Sequence, residues 1–222
     1  MTDRARPVVA LLGGSFDPVH HGHVALASLF NTLLSPDQLR VIPAGNPWQK
    51  NGLKAAAADR VAMLELAFGD AGLDVFIDTQ EIERGSATYA IDTLRNIRKE
   101  LGPDASVIFL MGADQLQHLD SWREWRKLFE LTHFAVAARP GYALDQLPPA
   151  VQAEVVARLG TAQELRDSPS GRIVIAPDLA IDISATGVRE TLAAQGAPRQ
   201  NDANSLIPGV VLDYIQQHHL YK

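Results

Sequence analysis

Cysteine is absent from all 222 residues, which excludes disulfides, thiolate catalysis and cysteine-ligated zinc and makes a reducing compartment natural. Long apolar runs are absent too. The first run, Val8 to Leu12, is too short for a signal-peptide core or a membrane span, so a cytoplasmic protein with no membrane attachment is expected. A basic excess is also missing. Twenty Lys and Arg against 26 Asp and Glu give a formal charge of -6, which offers no footprint for a polynucleotide, so any anionic ligand must be held by local features. Neither G-x-G-x-x-G nor G-x-x-x-x-G-K-[ST] occurs, which removes the dinucleotide fingerprint and the P-loop. No internal repeat or long low-complexity tract is present, and no pattern speaks to oligomeric state.

What is present is enough apolar material for one domain, 46% of the residues in a 24.1 kDa chain. Short β-branched runs alternate with segments of helical period, the pattern of βαβ units. Strands are expected at Val8–Leu12, Leu39–Ile42, Val75–Asp78, Val107–Met111, Phe134–Ala138 and Ile173–Ala176. Helices are expected near Gly22–Leu34, Ala56–Phe68, Tyr89–Leu101 and Ala150–Leu159, and from Ser184 and Pro208 onward. The implied architecture is α/β, a Rossmann-like, open, doubly wound parallel sheet in a single domain spanning 1–222, with function after the first and fourth strands.

The turn after the first strand reads Gly13-Gly14-Ser15-Phe16-Asp17-Pro18-Val19-His20-His21-Gly22-His23. Its glycines allow a ligand close to the backbone. His20 and His23 straddle the start of a helix, where backbone N–H groups and the positive end of the dipole favour phosphate oxygens and imidazoles add donors. Histidines that only cap and pack, or a zinc site of His20, His21 and His23, are the alternatives. Against zinc, adjacent His20 and His21 point different ways and no H-E-x-x-H pattern occurs. A second string, Ile183-Ser184-Ala185-Thr186-Gly187-Val188-Arg189, follows the sixth expected strand, with Ser184 placed as an N-cap. Alone it reads as a plain capped helix; paired with the first string it becomes a second anion site.

The first string resembles the G-x-F-D-P-x-H-x-G-H signature of the nucleotidyltransferase superfamily of adenylyltransferases, and the second resembles that superfamily's I-S-[ST]-T-x-[IV]-R element. The resemblance implies that His20 and His23 contact the ATP phosphates and stabilise the transition state, with His21 in the variable position. It places Gly14, Ser15 and Phe16 along the nucleotide. Ser184 and Thr186 would hold ATP, and Arg189 is the candidate charge clamp, since a guanidinium binds phosphate oxygens bidentately.

Landmarks over nearly the whole chain, Gly112-Ala113-Asp114, Ser121-Trp122, Arg139-Pro140-Gly141-Tyr142 and Tyr214-Ile215 to Leu220-Tyr221, resemble bacterial nicotinate-mononucleotide adenylyltransferases. The resemblance implies a pyridine ring stacked on Trp122, Tyr89 lining the same pocket, Asp114 on a ribose and Arg139 beside the mononucleotide. Bland readings stand beside these: Trp122 and Trp125 as one buried helix face, and Asp114 as a helix cap. The sequence departs from the family at Gln49, where a histidine is usual, leaving Lys50 as the mobile cation for ATP with Lys54 as an alternative, and at Ala90, where a hydroxyl is usual. The implied reaction joins AMP from ATP to nicotinate mononucleotide, with Mg²⁺ carried on the ATP phosphates and no dedicated metal site. The rivals are an enzyme for the amide mononucleotide or another phosphate acceptor, and a nucleotide sensor without turnover.

Overall fold

The computed structural model describes residues 6–47, 52–138, 144–176, 185–194 and 206–221. Lys50, Arg139 and Ser184 lie outside the described residues. Strands β1 (Val8–Gly14), β2 (Gln38–Pro43), β4 (Phe76–Ile77), β6 (Ser106–Gly112), β7 (His133–Ala137) and β8 (Ile173–Ala176) form a six-stranded sheet in the order β4-β2-β1-β6-β7-β8. A separate two-residue ladder joins β3 (Asn46–Pro47) to β5 (Ala87–Thr88). The sheet is the expected doubly wound order: it grows one way from β1 through β2 to β4 and the other way through β6, β7 and β8. Pairing of β1 with β6, β6 with β7 and β7 with β8 is parallel.

Close contacts divide the chain into two compact units, one of Met1–Gly13, Leu29–Arg40 and Tyr89–Ala180, the other of Gly14–Ser28, Val41–Thr88 and Ile181–Lys222. In the first unit, Val8 to Leu12, Val107 to Met111 and Phe134 to Ala137 are all buried, as parallel strands covered on both faces require, which is why they read as unbroken apolar runs. Helix α4 (Ala90–Leu101) buries Ile91, Leu94 and Ile97 on one face. Its Arg98 turns back under the helix and donates to the carbonyls of Leu131 and Ala105 at 2.7 Å each, closing loop acceptors that helical periodicity does not reveal.

His133, fully buried in β7, is fixed as a neutral ring. Its Nδ1 accepts from the Arg172 amide at 3.0 Å and its Nε2 faces the Ser168 carbonyl at 2.9 Å, so Nε2 carries the proton. Desolvation lowers its pKa to about 4 from 6.5, assisted by nearby guanidinium groups and opposed by the Ser168 carbonyl. Between those values the unfolded chain binds a proton that the folded chain refuses. This contribution to stability is therefore complete above the unfolded value and shrinks as the pH falls toward 4, by up to about 3 kcal/mol. The check is an NMR titration: His133 is expected to stay neutral at pH 5.5, and a midpoint near the ordinary histidine value would contradict the assignment.

The second unit contains the signature turn. It also holds α2 (Ala57–Asp70) and α10 (Gly209–Gln217), which pack against each other; α2 buries Met63, Leu64, Ala67 and Phe68, and α10 buries Val211, Leu212 and Ile215. The Tyr214 hydroxyl donates to Asp59 Oδ1 at 3.0 Å along the same contact. Helix α9 (Ala185–Ala194) completes the elements that matter for the site.

Candidate active site

The signature turn leaves β1 in a strained path. Phe16 has φ 46, a left-handed backbone that a residue with a bulky side chain adopts only when its surroundings enforce it. The enforcement is visible: the Phe16 ring is fully buried, meets the His23 ring edge-on at 4.8 Å, and lies over Gly14, where a Cβ would come within 3.0 Å of the ring. Gly14 is thus glycine for closeness of packing. The Phe16 side chain is core, so any approach of a nucleotide here is to the backbone.

His20 precedes α1 (His21–Leu34) and His23 lies in its first turn. The rings stack, with centroids 3.6 Å apart and planes 26° apart. The His20 amide donates to His23 Nδ1 at 3.2 Å, which assigns the proton of a neutral His23 ring to Nε2, the atom that can then donate to a phosphate oxygen. The helix start offers fewer backbone donors than its position suggests. The His21 amide is taken by the Leu206 carbonyl at 3.0 Å and the His23 amide by the His20 carbonyl at 2.9 Å. An anion placed here would meet side-chain donors more than the free amides expected at a helix N-terminus.

Arg189, in the second turn of α9, reaches the same turn: its Nη1 donates to the Asp17 carbonyl at 2.6 Å and its Nη2 to Thr186 Oγ1 at 3.2 Å. A guanidinium has five N–H donors, so these bonds leave capacity for a ligand. Gly14, Ser15, Phe16, His20, His23, Thr186 and Arg189 therefore gather within one compact unit although the second string lies far along the chain.

In the other unit, Tyr89 caps α4 in an extended conformation and Trp122 ends a 3-10 turn over Leu119–Ser121. Trp122 is not on a helix with Trp125. It is extended and half-buried, packed edge-on against Phe109 at 5.8 Å, whereas Trp125 is the first residue of α6 (Trp125–Leu131) and is buried. The backbone breaks between them at Glu124, φ 52, which overturns the reading of the two tryptophans as one helix face. Arg95 and Lys127 bind the Glu124 carboxylate at 2.9 and 2.7 Å and pull its pKa to about 2. The Arg123 guanidinium lies over the Tyr89 ring, 4.9 Å from its centroid. Asp114 is exposed in the first turn of α5 (Ala113–Gln117), and its Oδ1 would lie 2.5 Å from a Cβ at Gly112, so the carboxylate folds back over the glycine backbone. No side-chain cap bond is made at the start of that helix.

A family model described as cytidylyltransferase-like matches residues 11–191. A protein of Herminiimonas arsenicoxydans named "Probable nicotinate-nucleotide adenylyltransferase" is 57% identical over 216 residues, 96% of either chain. The chain belongs to the nicotinate-nucleotide adenylyltransferase family. A relative of the same name from Laribacter hongkongensis is 45% identical over 223 residues, 100% of this chain and 98% of its own length. Among solved structures, Plasmodium falciparum nicotinic acid mononucleotide adenylyltransferase complexed with NaAD superposes with a TM-score of 0.73 at 20% identity, covering 97% of this chain and 98% of that one. At that identity the likeness concerns the fold.

For this member of the adenylyltransferase family, the signature turn is held by its own Asp17 together with Arg60 and Tyr221, a structural role that the motifs did not assign to them. Asp17, 3% exposed, accepts from the Lys54 and Ala55 amides at 2.7 and 3.0 Å and from the Tyr221 hydroxyl at 2.7 Å. Arg60, 1% exposed, donates to the Ser15 carbonyl at 2.8 Å. Burial lowers the Arg60 pKa, and the Asp17 carboxylate opposes the shift. Arg60 was concealed in an alanine-rich helix; Tyr221 was visible only as part of a landmark without a role.

Proposed function

We propose that the chain, acting as one nucleotidyltransferase domain over 1–222, transfers the adenylyl group of ATP to nicotinate mononucleotide. The products are nicotinate adenine dinucleotide and pyrophosphate, a step of NAD biosynthesis. The observation that carries this reading is the stacked His20–His23 pair with Arg189 anchored on the same turn. In the reaction an oxygen of the mononucleotide 5′-phosphate bonds to the α-phosphorus of ATP, and the bond from that phosphorus to the bridging oxygen breaks as pyrophosphate departs. The attacking phosphate is already ionised, so no general base is needed. The protein aligns two polyanions and stabilises charge developing on the phosphoryl and leaving oxygens. His23 Nε2–H, His20 and Arg189 supply donors for those oxygens. Ser184 and Lys50 are further ATP contacts in this reading, and Tyr89, Trp122, Asp114 and Arg139 hold the mononucleotide.

Nucleotidyltransferases generally use a divalent metal with ATP. The imidazole and guanidinium donors of the signature site suit phosphate oxygens and do not make a cage for a hard, oxygen-seeking cation, so Mg²⁺ would be held by the ATP phosphates and water. No helix among the described residues is long and apolar enough to cross a membrane, and the reading places the enzyme in the cytoplasm.

Pyrophosphate release measured with ATP and either nicotinate or nicotinamide mononucleotide tests the acceptor. The acid is expected to exceed the amide in kcat/KM by about tenfold or more. Equal use of both would remove the acid preference, and tight ATP binding without release from any acceptor would favour the nucleotide-sensor alternative.

A further inference from the structure

Tyr221 reaches the signature turn across 204 residues of sequence, and its hydroxyl donates to Asp17 Oδ1 at 2.7 Å. The same carboxylate receives the amides of Lys54 and Ala55, which lead into α2. One buried side chain thereby ties together the turn, the entry to α2 and the segment that follows α10. Asp17 is also flanked by the two parts of the proposed machinery. Its neighbour Phe16 is held in a left-handed backbone with its ring against His23, and its own carbonyl anchors Arg189. The bonds on its carboxylate therefore pin the stretch of backbone that carries both, and a shift of that backbone would move the Arg189 anchor and the Phe16 ring together. Burial and the Asp17 carboxylate raise the Tyr221 pKa far above its ordinary value, so the phenol stays a neutral donor.

We propose that Tyr221 is a positioning residue for adenylyl transfer: by holding Asp17, its hydroxyl keeps His23 and Arg189 in register for the transferring phosphoryl group. The inference rests on the reading of His20, His23 and Arg189 given above. Displacements of about 1 Å at a site of this kind can cost about 10²-fold in rate. Losing one of the three bonds seen on Asp17 is expected to cost about tenfold in kcat.

Tyr221→Phe removes one oxygen and tests this. The folded variant, verified by a cooperative thermal melt above the assay temperature, is expected to lose about tenfold in kcat with KM for ATP and for the mononucleotide changed by less than about twofold. An unchanged kcat, or a change confined to KM, would overturn the proposal. Replacing Tyr221 with 4-aminophenylalanine restores a donor and is expected to recover most of the rate; a rate as low as that of Tyr221→Phe would count against the hydroxyl's role. His23→Ala is assayed alongside. Normal turnover there would sink the reading of the site itself, whereas normal kcat in Tyr221→Phe beside an impaired His23→Ala would sink only the inference about Tyr221.

Discussion

His23→Ala is expected to lower kcat by about 10²-fold or more, the size of effect seen when one preorganised transition-state donor is removed. The geometry says why the loss should fall on kcat. With Nδ1 occupied by the His20 amide at 3.2 Å, Nε2–H is the donor left to a neutral ring, and the stacked His20 and edge-on Phe16 fix its direction. A donor fixed before substrate arrives needs no reorganisation as charge develops on the phosphoryl oxygens. KM for ATP should change by no more than a few-fold, because the ground-state triphosphate keeps its other contacts. Steady-state pyrophosphate release by the purified, folded variant checks this, and normal turnover would remove His23 from the chemistry.

Asp17→Ala is expected to destabilise the fold by about 3–5 kcal/mol, measured as a fall in the urea midpoint at constant m-value. The substitution leaves the Lys54 and Ala55 amides and the Tyr221 hydroxyl without their acceptor. It also removes the carboxylate that opposes desolvation of Arg60, a guanidinium 1% exposed. An uncompensated buried charge costs more than the bonds that surround it. A loss below about 1 kcal/mol would mean that the Arg60 charge is balanced by other groups. Turnover should fall as well, since the turn carrying His20 and His23 loses its bonds to the Lys54 and Ala55 amides that lead into α2.

Much of this was legible in the sequence because the signals were local. The six strands expected from apolar runs are the six of the sheet, and their parallel order follows from alternation with helices. The signature turn and the Thr186–Arg189 segment were recognisable as strings, and the structure brings them together within one unit. Periodicity failed where the backbone departs from a regular element. Trp122 and Trp125 are spaced like helix neighbours, but Glu124 at φ 52 separates an extended residue from a helical one, and no hydrophobic pattern reports that break.

The sequence by itself determined the fold class, the family and the residue types offered to a phosphate, because each is written in short contiguous patterns whose chemistry does not depend on distant partners. Only the tertiary structure decided how those residues are held. Arg60 looked like one polar position in an alanine-rich helix, and Tyr221 lies 204 residues from Asp17. Their roles come from burial, which makes an unpaired charge or an unmet hydrogen bond costly, and burial depends on which distant segments fold against the turn.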